Sequence, residues 1–169
     1  MDGVGYNLLE ASAAWVYDNP VFGYTGRIAG QRARLEFSPV GGQLRFTGVL
    51  AGFRRYLYLR PVTLSFRGLH YGRYGPDGEG GFSSPYLGQP SPLRGYGSAY
   101  DRCVWTGEDC GLLASLVGSR IAVASAELRV PVVRRLSAGG LGLSPSDGIA
   151  FYDAAVAWTG DTRPTLARG

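Results

Sequence analysis

The sequence contains no lysine: all 17 of its basic residues are arginine. It has one histidine, one methionine and two cysteines, and charged side chains make up only 18% of its length. No apolar run approaches the ~18 to 20 residues needed by a membrane-spanning helix, which excludes a helical membrane protein. With His70 as the sole histidine, Cys103 and Cys110 lack the further ligands a zinc site requires. A serine triad would have only His70 for its base, no G-x-S-x-G motif occurs, and no metal, cofactor or enzymatic chemistry is expected. His70 reads as a strand-end polar residue. The formal charge is +4, but the arginines are mostly spaced singly or at i, i+2 among apolar residues, so a nucleic-acid partner is not expected. The first residues carry no basic stretch followed by an apolar one, so an export signal would have to come from sequence outside this chain.

What is present is a chain of 169 residues, 45% apolar and 12% aromatic, with 27 glycines. That composition suits twisted β-sheet and sets aside disorder. Alternation with period two recurs along it. Strands are expected at about 9–17, 27–37, 43–59, 62–71, 119–130 and 148–158. Asp18-Asn19-Pro20 and the segment 38–42 read as turns between them, and Pro131 is placed to end the fifth strand. Strands with no helix between them point to antiparallel pairing and exclude a βαβ topology. Two architectures fit, a soluble β-sandwich or part of a membrane β-barrel. Strand length favours the barrel, because a tilted spanning strand takes ~9 to 11 residues and a sandwich strand ~5 to 6. Aromatic residues at the strand ends (Trp15, Tyr17, Phe37, Tyr71, Trp158) point the same way.

Residues 72–118 lack alternation, are dense in Gly, Pro, Ser and Tyr, and read as one long loop. Cys103 and Cys110 lie in it and would form a local disulfide in an oxidising compartment. Glycine clusters at 78–81 and 139–142 do not open a helix after a strand, and read as turn geometry rather than phosphate loops. An arginine on a loop is ordinarily solvated. Arg94, however, shares the chain with Glu127 and Asp153, carboxylates on the polar faces of two later strands in otherwise apolar stretches. A carboxylate in a partly enclosed space costs free energy unless paired, and one guanidinium fork can meet two of them.

Three motifs in order, LRGY at 93–96, AELRVPV at 126–132 and IAFYDAAVAW at 149–158, resemble the C-terminal barrel of the Omp85 superfamily, also called bacterial surface antigen D15. AAWVYDNPVFGYTG at 13–26, RARLEFSP at 32–39 and FRRYLYL at 53–59 resemble the strands that precede its loop motif. The resemblance implies an all-β antiparallel transmembrane barrel segment, about six strands of a sixteen-stranded barrel, filling residues 1–169. It implies a long extracellular loop folded into the lumen, locked by Arg94, Gly95 and Tyr96 against Glu127, Phe151 and Asp153. Two departures stand out: Ala155 replaces the last glycine of the family's F-x-D-x-G pattern, and the cysteine-bearing insertion after Tyr96 is long.

By the same resemblance the chain is a fragment without POTRA repeats, resident in the bacterial outer membrane. Its partners would be outer-membrane lipid, the remainder of its own barrel, and client outer-membrane or secreted proteins. The function implied is assistance of outer-membrane protein insertion or of protein secretion. The alternatives are a barrel anchor for an upstream enzymatic or binding module, and a soluble β-sheet binding module.

Overall fold

The computed structural model describes residues 7–79, 93, 94, 96, 99–108, 110–133, 136–138, 141–160 and 165–168. The strands are β1 (Leu8–Glu10), β2 (Ala13–Phe22), β3 (Arg27–Gly42), β4 (Phe46–Leu59), β5 (Val62–Tyr74), β6 (Arg120–Val133), β7 (Leu136–Ala138), β8 (Leu141–Leu143), β9 (Ser146–Trp158) and β10 (Thr165–Arg168). Two short helices, α1 (Ala99–Thr106) and α2 (Cys110–Ser115), lie between β5 and β6. Eight strands form one antiparallel sheet in the order β1-β3-β4-β5-β6-β9-β10, and β2 also pairs with β3. Because β1 meets β3 at 40–42 and β2 meets it at 27–37, the two lie end to end along one edge and occupy a single strand position. β7 and β8 form a separate hairpin, and the large sheet does not close on itself.

Several turn assignments give way to strand. Asp18, Asn19 and Pro20 continue β2 instead of breaking it, paired with Arg32, Gln31 and Gly30. Pro20 is tolerated because, among the described residues, β2 pairs only with β3, so its missing N–H removes no rung from a second ladder. The close approach needs Gly30, which has φ 98° and where a Cβ would collide with the Asn19 carbonyl oxygen. The segment 38–42 likewise stays in β3, because β1 pairs with its last three residues. Pro131 does not end β6, since a register shift between Pro131 and Val133 absorbs it as a bulge. The expectation of a helix-free loop also fails, because α1 and α2 lie within it.

Side chains alternate between the two faces of the sheet. One face, here called inner, carries the connection between β5 and β6. Next to that connection it is apolar: Leu93 and Leu116 are fully buried against Ile121, Val123, Ala155 and Ala157, with Leu69, Tyr71 and Tyr96 around them. Each buried leucine contributes about 1.5 to 3 kcal/mol relative to exposure. Further along the same strands the inner face turns polar, with Thr63, Ser65, Ser125 and Asp153 all buried.

The outer face has the opposite character. Trp15, Leu35, Phe37, Phe53, Phe66, Leu128, Val130 and Tyr152 are all exposed there. Across the middle of the sheet one register row reads Tyr17, Ala33, Phe53, Gly68, Ala124 and Ala154. Polar groups on this face are few, chiefly Asn19, Gln31 and Arg55 in one row and His70 and Arg120 toward the helical end. Large apolar residues are thus exposed across the outer face while the polar part of the inner face is buried, an arrangement unlike that of a sheet packed in water.

Candidate functional site

The inner face brings four of the candidate residues into contact. Alternation aims Glu127 from β6 and both Phe151 and Asp153 from β9 to the inner side, while the chain between β5 and β6 delivers Arg94 from above. Arg94 grips Asp153 with two donors, Nε to Oδ2 and Nη2 to Oδ1, each at 2.7 Å. Its third donor, Nη1, reaches Glu127 Oε1 at 2.7 Å. The Arg94 backbone N–H adds a longer contact to Asp153 Oδ2 at 3.4 Å. The guanidinium carbon lies over the Phe151 ring, 3.8 Å from its centroid.

Charge and burial make this a demanding arrangement. The Asp153 side chain is 1% exposed and Glu127 17%, against 33% for Arg94. A buried carboxylate is strongly destabilising without a partner, and a planar fork satisfies two lone pairs of Asp153 at once. Glu127 is shared: its second oxygen accepts Arg129 Nη2 at 2.7 Å and Nε at 3.1 Å. Arg94 therefore closes a chain of charges, Asp153–Arg94–Glu127–Arg129, whose carboxylate oxygens are all occupied by guanidinium donors. Its chemistry is that of a fastener. It fixes the connection between β5 and β6 to the sheet wall.

The remaining candidates fall elsewhere. Tyr96 packs against the apolar cluster under the connection, and Gly95 lies outside the described residues. Cys103 and Cys110 form a disulfide between α1 and α2, which ties the helical hairpin and has no part in the charge chain. His70 sits on the outer face, stacked on Trp158 at 5.8 Å, with Nε2 2.7 Å from the Tyr74 hydroxyl and Nδ1 3.0 Å from the Ile121 carbonyl oxygen.

Two participants were not singled out from sequence. Arg129 carries a usable signal, because its i+2 spacing from Glu127 puts both on one face. Glu79 falls in the glycine cluster at 78–81, which reads from sequence as turn geometry. Its carboxylate accepts hydrogen bonds from Ser119 Oγ and the Gly160 N–H and faces Arg120 at 3.7 Å, so it joins the ends of β5, β6 and β9. No local pattern announces such a contact between residues 81 positions apart.

No protein-family model matches this chain, and no curated protein or solved structure matches it either. The functional reading rests on the geometry and on the motifs in the sequence.

Proposed function

We propose that the chain is a section of the wall of an outer-membrane β-barrel of the Omp85 type, with the connection between β5 and β6 folded into the lumen. The observation that carries this reading is the inverted sheet. An exposed outer face bearing Trp15, Phe37, Phe53, Phe66 and Tyr152 suits hydrocarbon, and an inner face bearing arginines and carboxylates suits a hydrated lumen. Strand length agrees: β3, β4, β5, β6 and β9 each run 13 residues or more, enough to cross ~9 to 11 residues of tilted span and project beyond it.

The work of such a barrel is mechanical. Arg94 holds the loop across the lumen by Asp153 and Glu127, which keeps the wall and the loop in one arrangement. Client strands of outer-membrane or secreted proteins would engage by pairing with an unsatisfied sheet edge. The open edges of the described sheet require the remainder of the barrel before the wall is stable in lipid.

The test is fractionation of cells expressing the full-length protein, followed by alkaline carbonate extraction and electrophoresis with and without heating. Retention in the outer-membrane pellet with a heat-modifiable band is the expected result, and depletion should lower the outer-membrane level of other barrels. Release into the carbonate supernatant would overturn the membrane reading in favour of a soluble binding sheet. Normal levels of client barrels after depletion would leave a barrel that acts as an anchor and overturn the assembly role.

A further inference from the structure

One row of the inner face is unusual in its charges. In register across six strand positions it reads Asp18, Arg32, Arg54, Arg67, Ser125 and Asp153. The last residue belongs to β9. Three arginines thus stand directly opposite one another on β3, β4 and β5, an arrangement in which like charges repel. The flanking carboxylates make no direct ion pair with Arg54 or Arg67. Asp18 lies 3.7 Å from Arg32, and both oxygens of Asp153 are taken by Arg94. In the adjacent row Glu127 is divided between Arg94 and Arg129. Among the described residues no ion pair reaches Arg54 or Arg67.

Arg54 and Arg67 line a cavity of about 180 Å³ together with Tyr56, Ser65 and Ser125, and Arg94, Glu127 and Arg129 complete its lining. The cavity therefore combines two unpaired guanidinium forks with three hydroxyls at its wall. Planar forks match the geometry of tetrahedral oxyanions and bind them bidentately.

We propose that this cavity is an oxyanion site, in which Arg54 and Arg67 hold a phosphate group beside the Arg94 fastener and Tyr56, Ser65 and Ser125 line it. Occupancy supplies the counter-charge that the row lacks. The site stands on the inner face whatever medium meets the outer one, so its failure would leave the barrel reading untouched.

The experiment is calorimetric titration of the folded full-length protein, in non-ionic detergent and chloride-free buffer of low ionic strength, with inorganic phosphate and with glycerol 3-phosphate. Saturable one-site binding is expected, weakened about tenfold or more in Arg54→Gln and in Arg67→Gln. Arg34→Gln is the control, because Arg34 is already paired with Glu36 and lies outside the cavity. Either glutamine variant removes one of two facing like charges and should keep the strand circular-dichroism signal. Arg67→Lys, which retains the charge, provides a second variant and should bind between the two extremes. Equal affinity for the two probes assigns the site to free phosphate, and tighter binding of the ester assigns it to a phosphorylated ligand. Absence of saturable binding, or an equal loss in Arg34→Gln, would overturn the proposal and reduce the row to a water-solvated field of positive charge.

Discussion

At the scale of single residues the weight falls on Asp153, the least exposed charge among the described residues, and on the guanidinium that neutralises it. Removing Arg94 leaves a carboxylate buried with no guanidinium, whereas removing Glu127 leaves Arg94 its two bonds to Asp153. Arg94→Ala should therefore cost about 3 kcal/mol, at the low end of the range for breaking a buried pair because Arg94 is a third exposed. Arg94→Lys should recover only part of this, since an ammonium cannot chelate Asp153 and reach Glu127 together. Urea midpoints for the variants and for the cycles Arg94/Asp153 and Arg94/Glu127 measure this. The coupling with Asp153 should be the larger, and equal couplings would contradict the geometry. Glu127 and Asp153 were legible in sequence because each sits on the polar side of an alternating strand, and Arg94 because it stands in the LRGY motif of the connection between β5 and β6. The row Arg32–Arg54–Arg67 was not, although every member is visible in the alternation. Which rungs face one another depends on register, and register is set by turn geometry and pairing across the sheet.

At the scale of elements, period-two alternation located the long strands well and located their ends poorly. The misassigned turns at 18–20 and 38–42 and the misplaced end at Pro131 share a cause, a proline or glycine cluster that local rules assign to a turn and that pairing with a neighbour keeps extended. The strand expected over 9–17, by contrast, is interrupted at 11–12, where neither proline nor glycine stands. Pro20 stays in β2 because Gly30 lets the strands approach. Gly30→Ala should force the Asn19 carbonyl away and loosen β2 alone, seen as faster hydrogen exchange over residues 13–22 with β5 and β6 unchanged. The helices α1 and α2 were missed for a different reason: with 8 and 6 residues, they are too short to show a helical period or to form in isolation. The disulfide closes a chain segment with a separation of 7, worth about 2.5 kcal/mol on the chain-entropy relation. Cys103→Ser with Cys110→Ser should therefore expose 99–115 to protease while leaving the Arg94 contacts and the sheet intact. Cleavage rates equal to those of the oxidised protein would show that packing alone holds the hairpin.

At the scale of the whole molecule, the decisive property is the polarity of the two faces, because no single contact distinguishes a sheet in lipid from a sheet in water. The row Tyr17, Ala33, Phe53, Gly68, Ala124 and Ala154 crosses the middle of the outer face, while Leu59 lies at the turn end of β4. If hydrocarbon covers that face, an arginine at the centre must be desolvated and one at the rim can reach the headgroups. Phe53→Arg should then cost about 2 to 4 kcal/mol and Leu59→Arg about 0 to 1 kcal/mol. If water covers it, both substitutions remove an exposed apolar group, 45% and 54% exposed respectively, and both should be neutral or improve solubility. The two environments therefore predict different depth profiles from the same pair of variants. Urea titration of the full-length protein refolded into lipid vesicles, with the heat-modifiable band as readout, separates them. A Phe53→Arg midpoint well below that of Leu59→Arg supports the barrel wall. Coincident midpoints mean that no hydrocarbon meets the outer face, and the large exposed aromatics must then be read as a docking surface for another protein.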